Sequence, residues 1–301
     1  MNIYASFTPV SALWPRVRWK GLDMSGKVQS FQSFSMGQSS PLAFAVSEND
    51  RQTIAMVREA LQTRRLRLAY QPVVLSADTS RIAFYEGLMR VLDTTGRVIP
   101  ARDFMDAVEA HEIGREIDCA ALAMGLAALV QQPQIRLSIN MSARSIGYPK
   151  WTAILHQALR THRGLGERLI LEITESSAML VPEIVIAFMD NLQAEGIAFA
   201  LDDFGAGFTA IRYFKDFCFD VLKIDGQFIR NIHRDRDNQV VTSALMAIGK
   251  QFDMLCVAES VETQADAEFL QALGVDCQQG FLFGAPTVTP DWMAKPGRQS
   301  A

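Results

Sequence analysis

The sequence predicts an α/β chain closed into an irregular eight-stranded barrel, and three observations predict it. Eight short apolar segments recur between residues 66 and 283. Most are separated by amphipathic helical patterns, the alternation expected of an α/β fold. Several end in groups that are costly to bury, namely Glu86, Asn140, Glu172, Asp202, Asp203, Lys223 and Glu259. Such ends are tolerable where they converge on something that repays the desolvation, as at the mouth of a barrel.

Residues 1–48 read as an N-terminal extension. Pro9, Pro15, Pro41, Gly21, Gly26, Gly37 and the stretch SFSMGQSS leave too little pattern for a separate core. Trp14, Trp19 and Phe34 are available there to cover a patch on the main domain or on a partner. Regular patterning begins at Asn49, where NDRQTIAMVREALQTRR predicts a capped amphipathic helix leading to the strand LRLAYQPVV. The next strand, RIAFYEGLM, follows a connection of about ten residues with Asp78 and Thr79 at its turn. That is too short for a crossover helix, so the first strand is expected to run antiparallel to its neighbour. Two helices, ARDFMDAVEAH and REIDCAALAMGLAALV, fill the interval from Pro100 onward. The strands IRLSINM, RLILEIT, IAFALDD, FDVLKID, MLCVAES and CQQGFLF then alternate for the most part with the helices AILHQALRTH, EIVIAFMDNLQAEG, DNQVVTSALMAIGKQF and ETQADAEFLQALG. The expectation is an irregular TIM-like (β/α)8 barrel over residues 49–290, followed by a tail, 291–301, that opens with a short helical turn.

Composition narrows the function. With 301 residues, 49% of them hydrophobic, the chain can bury one large core. A net charge of −4 argues against duplex nucleic acid as the main partner. Cys119, Cys218, Cys256 and Cys277 are too dispersed for a zinc or redox motif and read as reduced thiols. No uninterrupted apolar run is long enough to span a bilayer and the start lacks a signal-peptide pattern, so a cytoplasmic protein without membrane insertion is expected.

The strongest local signal is Asp202-Asp203 followed by Phe204-Gly205-Ala206-Gly207, two carboxylates leaving a strand into a glycine-bearing loop. Taken alone it also fits a solvated turn. Glu86, Asn140, Glu172 and Glu259 supply further hard oxygen donors, suited to Mg2+ or Mn2+ rather than zinc. His111, His156, His162 and His233 fall away from the strand ends and read as packing or surface residues. Lys223, with Asp225 two residues on, can hold its charge among carboxylates and bind a water or a phosphate oxygen.

These segments together resemble the EAL domain family of cyclic di-GMP phosphodiesterases over roughly residues 50–290. The resemblance rests on Tyr70-Gln71-Pro72, Glu86-Gly87-Leu88 with Arg90, Asn140-Met141-Ser142-Ala143-Arg144, Glu172-Ile173-Thr174-Glu175, Asp202-Asp203-Phe204-Gly205, Lys223-Ile224-Asp225, Ala258-Glu259-Ser260-Val261-Glu262-Thr263 and Gln279-Gly280-Phe281. It implies hydrolysis of cyclic di-GMP to linear pGpG with two divalent ions per site, Mg2+ or Mn2+. Glu86, Asn140, Glu172 and Asp202 would hold one ion, and Asp202 would bridge to a second held with Asp203 and Glu259. Lys223, Glu259 and Glu175 would act in the chemistry. Glu259 as metal ligand and Glu259 as general base are competing roles that stay open. Gln71, Leu88, Arg90, Asn140, Asp225 and Gln279 would touch substrate. Glu175 would hold the loop after Asp203, and Thr174, Asp225 and Glu262 would support the residues that do the binding. The resemblance also implies a homodimer near the loops after Asp203 and Lys223, and leaves room for a sensory or regulatory partner.

Three positions depart from the family pattern. Glu-Ala-Leu is Glu86-Gly87-Leu88 here, Ala206-Gly207-Phe208-Thr209 stands where Thr-Gly-Tyr-Ser is common, and Ser260 replaces the usual glycine beside Glu259. A catalytically inactive receptor for cyclic di-GMP, or a protein-interaction domain, is the alternative. The complete acidic set argues against it.

Overall fold

The computed structural model describes residues 41–207 and 214–293. The expectations for Trp14, Trp19 and Phe34, for Phe208 and Thr209, and for the tail beyond Met293 lie outside the described residues. Helix α1 (Pro41–Gln62) leads into β1 (Leu66–Leu75) and β2 (Asp78–Leu92). β3 (Val98–Pro100), α2 (Met105–Val108) and α3 (Glu112–Gln131) precede β4 (Leu137–Asn140). Next come α4 (Pro149–Thr161), β5 (Leu169–Thr174), α5 (Glu175–Ala178), α6 (Pro182–Gln193) and β6 (Ala198–Phe204). The series closes with β7 (Val221–Ile224), α7 (Gly226–Ile229), α8 (Arg236–Gln251), β8 (Leu255–Ala258), α9 (Gln264–Leu273) and β9 (Cys277–Gln279).

The strands form one sheet in the order β1-β9-β8-β7-β6-β5-β4-β2-β3, and pairing of β1 with β2 closes it into a barrel. β1 runs antiparallel to both β2 and β9, while the pairs from β2 through β4 to β9 are parallel. The expected irregular TIM-like barrel with a reversed first strand is therefore observed. β3 stands outside the closed wall, pairing only with β2.

Register decides what faces inward, because paired residues on adjacent strands share a face. Gln71 pairs with Glu86, Glu86 with Ser138, Asn140 with Glu172, Glu172 with Ala200 and Ala200 with Val221. Lys223 then pairs with Val257, Val257 with Cys277 and Gln279 with Val73, which completes the circuit. On this inner face Val73, Phe84, Ile170, Ala200, Val221, Val257 and Cys277 form a buried cluster separate from the main core. Two residues further toward the C-terminal end of each parallel strand, the same face carries Glu86, Asn140, Glu172, Asp202, Lys223, Glu259 and Gln279. An apolar plug thus fills the bottom of the barrel and a polar layer sits at the mouth. The opposite strand faces, including Leu137, Ile139, Leu171, Phe199 and Leu222, pack with Ile117, Leu122, Val185, Met246 and Leu270 of the helices in one continuous core. Each such fully buried side chain contributes about 1.5–3 kcal/mol.

Several boundaries correct the sequence reading. α1 begins at Pro41 rather than Asn49 and takes its first turns from the expected 1–48 extension. Proline at the first helical position is itself a start signal, and it outweighs the cap-like Asn49 and Asp50 inside the helix. The connection between β1 and β2 shrinks to Ser76 and Ala77, because β2 extends over 15 residues. The last strand ends at Gln279. There the backbone of Gly280 lies so close to Val261 that a Cβ would stand 2.0 Å from its carbonyl oxygen. No helix among the described residues is long and apolar enough to cross a membrane.

Candidate active site

Lys223 is the centre of the polar layer. Its side chain is 1% exposed, and Nζ lies 2.7 Å from Glu172 Oε2, 2.7 Å from Glu259 Oε1, 2.8 Å from Asp202 Oδ1 and 3.4 Å from Glu86 Oε2. Glu86 is fixed from both sides: Asn140 Nδ2 donates to its Oε1 at 2.8 Å, and Gln279 Nε2 donates to its Oε2 at 2.6 Å. Gln279 Nε2 also donates to Gln71 Oε1 at 3.1 Å, while Gln71 Nε2 donates to the Gly284 carbonyl at 3.1 Å.

One ammonium cannot neutralise four carboxylates away from water. Burial alone would pull Lys223 down, but Asp202, Glu172, Glu259 and Glu86 together hold its pKa well above the ordinary lysine value. Burial, reinforced by the charge on Glu86 and then Asp202, lifts Glu172 to about 8 despite Lys223. Burial likewise raises Glu259 well above the usual carboxylate range, Asp202 and Glu86 adding to the effect while Lys223 opposes it. The cluster is short of positive charge.

The residues present fit a divalent metal. Oxygen atoms of Glu86, Glu172 and Asp202 lie within 4.8 Å of one another, as do those of Asp202, Asp203 and Glu259. Asp202 belongs to both groups. Glu172 Oε1 is buried without a hydrogen-bond partner. Asp202 Oδ1 meets Lys223 at 2.8 Å without hydrogen-bond alignment. A hard cation would satisfy both oxygens.

Consecutive strand residues point to opposite faces, so Asp202 and Asp203 should not share a site. The register slips between Leu201 and Phe204, and Asp203 adopts the left-handed conformation at φ 54°. This bulge brings the second carboxylate back to the mouth, at a cost of about 1–2 kcal/mol for a non-glycine residue. Partial loss of water around the Asp203 carboxyl, followed by the charge of Asp202, raises it to about 6 although the residue as a whole is exposed at the rim. Ser260, next to Glu259, is left-handed too, at φ 54°. It packs where a side chain on Gly226 would otherwise lie: a Cβ there would fall 2.4 Å from Ser260 Oγ.

The remaining expected site residues take distinct places. Glu175 is buried, and its Oε2 accepts from the Gly205 amide at 3.1 Å, tying the loop after Asp203 to the start of α5. Thr174 caps α5 by accepting from the Ser177 amide. Asp225 caps α7, accepting from the Gln227 amide at 2.6 Å, and its charge reaches Asp203. It does not line the cleft described below. Glu262 faces Arg230 at 3.9 Å on the cleft wall. His233 pairs with Asp266 at 2.7 Å, away from the acidic cluster.

Two cavities open above the cluster. One, of about 320 Å³, is lined by Gln71, Arg90, Arg230, Ser260, Gln279 and Phe281 among others. The second, of about 460 Å³, reaches toward Met105, Asp118, Asn140, Ser142 and Thr174. Glu86, Leu88, Ala101, Arg102 and Asp202 line both. The sequence reading missed Arg102 and Arg230 at the mouth, since neither ends a predicted strand, and it named Phe281 in a motif without giving it a role. It also missed Asp118, whose Oδ2 accepts from Ser145 Oγ at 2.5 Å and from the Ser142 amide at 3.0 Å, bracing the loop that follows Asn140.

The model of the EAL domain matches residues 54–286. The chain belongs to the EAL domain family. Among similar EAL proteins, the bifunctional diguanylate cyclase/cyclic di-GMP phosphodiesterase MucR of Pseudomonas aeruginosa is 33% identical over 249 residues, covering 80% of this chain and 36% of MucR. The cyclic di-GMP phosphodiesterase PdeF of Escherichia coli is 28% identical over 252 residues, covering 81% of this chain and 33% of PdeF. The chain thus spans about a third of the length of these curated relatives. The structure of the MucR phosphodiesterase in complex with c-di-GMP has a TM-score of 0.69 and 32% identity, covering 78% of this chain and 97% of that one. The FimX EAL domain of Pseudomonas aeruginosa bound to c-di-GMP gives 0.71 and 25% identity, covering 78% and 96%.

Proposed function

We propose that this EAL domain hydrolyses one phosphodiester bond of cyclic di-GMP to give linear pGpG, using two divalent ions, Mg2+ or Mn2+. The observation that carries the reading is the acidic ring around Lys223, opening into a cleft with two lobes. Five carboxylates, those of Glu86, Glu172, Asp202, Asp203 and Glu259, face one ammonium. Fully ionised, they leave a deficit of four charges, which two divalent ions would neutralise. A cleft whose two lobes meet at Glu86, Arg102 and Asp202 suits a ligand with phosphodiester groups in a central ring and a base at each end.

Glu86, Asn140, Glu172 and Asp202 would hold one ion, and Asp202, Asp203 and Glu259 the other. When bound, the ions supply Lewis acidity to the attacking water and to the phosphate oxygens. Glu259, at the rim of the ring, would either complete the second ion's ligands or take the water's proton; the two roles compete for one carboxylate. Oxygen of that water bonds to phosphorus as the bond to the ribose 3′ oxygen breaks, and that oxygen leaves with a proton. Lys223 keeps its charge throughout, orienting the carboxylates and opposing the negative charge that grows on the phosphate. Gln71, Leu88, Arg90 and Gln279 line the first cavity as substrate contacts, with the Arg90 guanidinium matched to phosphate. A homodimer would form near the loops after Asp203 and Lys223; the exposed apolar side chains of Leu180, Val181 and Ile184 follow α5, which Glu175 ties to the first of those loops.

Separation of nucleotide products after incubation with cyclic di-GMP and Mg2+ or Mn2+ tests the reading, with Glu259→Ala as control. Production of pGpG by the parent alone is the expected result. Intact substrate under both metals, with measurable binding, would replace the enzyme with a receptor.

A further inference from the structure

We infer that Arg102 is a specificity-determining residue that binds the phosphodiester group of the substrate that is not cleaved. The inference rests on the cyclic dinucleotide reading above and deepens it. A cyclic dinucleotide carries two phosphodiester groups in one ring. With one at the acidic cluster, the other is held close to the same carboxylates and needs a cation of its own.

Arg102 stands where that cation is required. It lines both cavities together with Glu86 and Asp202, at the junction of the two lobes. The fold puts it there through β3: Pro100 pairs with Arg90, and the chain then turns at residues 101–103 over the mouth. The side chain is 82% exposed, and its recorded ion pair is a 3.5 Å contact with the exposed, adjacent Asp103. Such a surface contact holds a guanidinium weakly, so it is easily exchanged for a phosphate. Among the described residues, the two other arginines that line the cleft are more committed. Arg90 is half-buried and donates to the Met89 carbonyl, while Arg230 faces Glu262 across the first cavity.

The test compares the parent with Arg102→Ala, Arg102→Lys and Arg102→Glu on two substrates, cyclic di-GMP and bis(p-nitrophenyl) phosphate, which has a single phosphodiester. For Arg102→Ala we expect KM for cyclic di-GMP to rise about tenfold, the scale of one charge-assisted hydrogen-bonded contact, while kcat falls by no more than about twofold. The loss in kcat/KM on the single diester stays under about threefold. Arg102→Lys recovers part of the KM loss and Arg102→Glu deepens it. Equal losses on both substrates, or an unchanged KM for cyclic di-GMP, overturn the inference while leaving the proposed activity intact. A parent that cleaves the single diester but neither binds nor cleaves cyclic di-GMP overturns the activity and the inference together.

Discussion

Replacing Gly87 with alanine, the residue of the family signature, should destabilise this protein, and replacing Ile139 with valine should rescue it. Gly87 follows the ligand residue Glu86 on β2 and faces away from the mouth. A Cβ there would stand 2.7 Å from Ile139 Cδ1, 3.1 Å from Leu68 Cδ2 and 3.2 Å from the Ser138 carbonyl oxygen. The same Ile139 Cδ1 lies 2.6 Å from where a Cβ on Gly125 of α3 would fall. One δ-methyl thus occupies room left by two glycines. Alanine in place of a strand glycine gains about 0.5–1 kcal/mol, but overpacking costs about 1–3 kcal/mol, so Gly87→Ala should lose about 1–2 kcal/mol. Ile139→Val alone should lose about 0.5–1.5 kcal/mol. With the δ-methyl gone the alanine fits, and the double variant should be more stable than the sum of the singles by about 1–2 kcal/mol. Urea denaturation of the four proteins at constant m-value measures the coupling. Additivity within about 0.5 kcal/mol would refute the reasoning.

Lys223→Met should reduce kcat by at least about a hundredfold, the scale of a lost electrostatic contact in a transition state. It should also destabilise the metal-free protein by about 3–5 kcal/mol, since four carboxylates lose their buried counter-charge; parallel turnover and denaturation measurements check both. For Asp118, burial raises the pKa from 3.8 to about 7 over the opposing bonds from Ser145 and Ser142. A folded pKa above the unfolded one means stability is fully present at low pH and is lost as pH rises from about 4 through about 7. The ceiling is on the order of 4 kcal/mol. Asp118→Asn should therefore gain stability relative to the parent between pH 5 and pH 8, and a flat difference in denaturation midpoint across that range would count against the assignment. Gly226→Ala should clash with Ser260 and lose about 1–3 kcal/mol, and adding Ser260→Gly should restore most of it. Thermal denaturation of the single and double variants decides this, with equal losses ruling out the contact.

Much of the site was legible because a parallel barrel strand repeats one instruction. An apolar residue followed two positions later by a polar one, as in Phe84 and Glu86, Ile170 and Glu172 or Val257 and Glu259, places the second at the mouth whatever the helices do. β3 was not legible, because three residues carry no period, and Arg102 was lost with it. The start of α1 was misjudged because Asn49 has the chemistry of a cap in a position where the backbone does not need one. Asp225 has the look of a site residue in sequence; its side chain caps α7 and its charge reaches Asp203.

The sequence by itself determined the alternation of elements, the reversed first strand and the identity of the acidic residues, since these depend on local period and chemical type. The tertiary structure alone decided which of those residues meet. Closure of the sheet sets the register that gathers Glu86, Glu172, Asp202 and Glu259 around one lysine, and the bulge at Asp203 turns a side chain that period two would send outward. It also decided the cost of Gly87, because the space beside a glycine is set by residues far away in the chain.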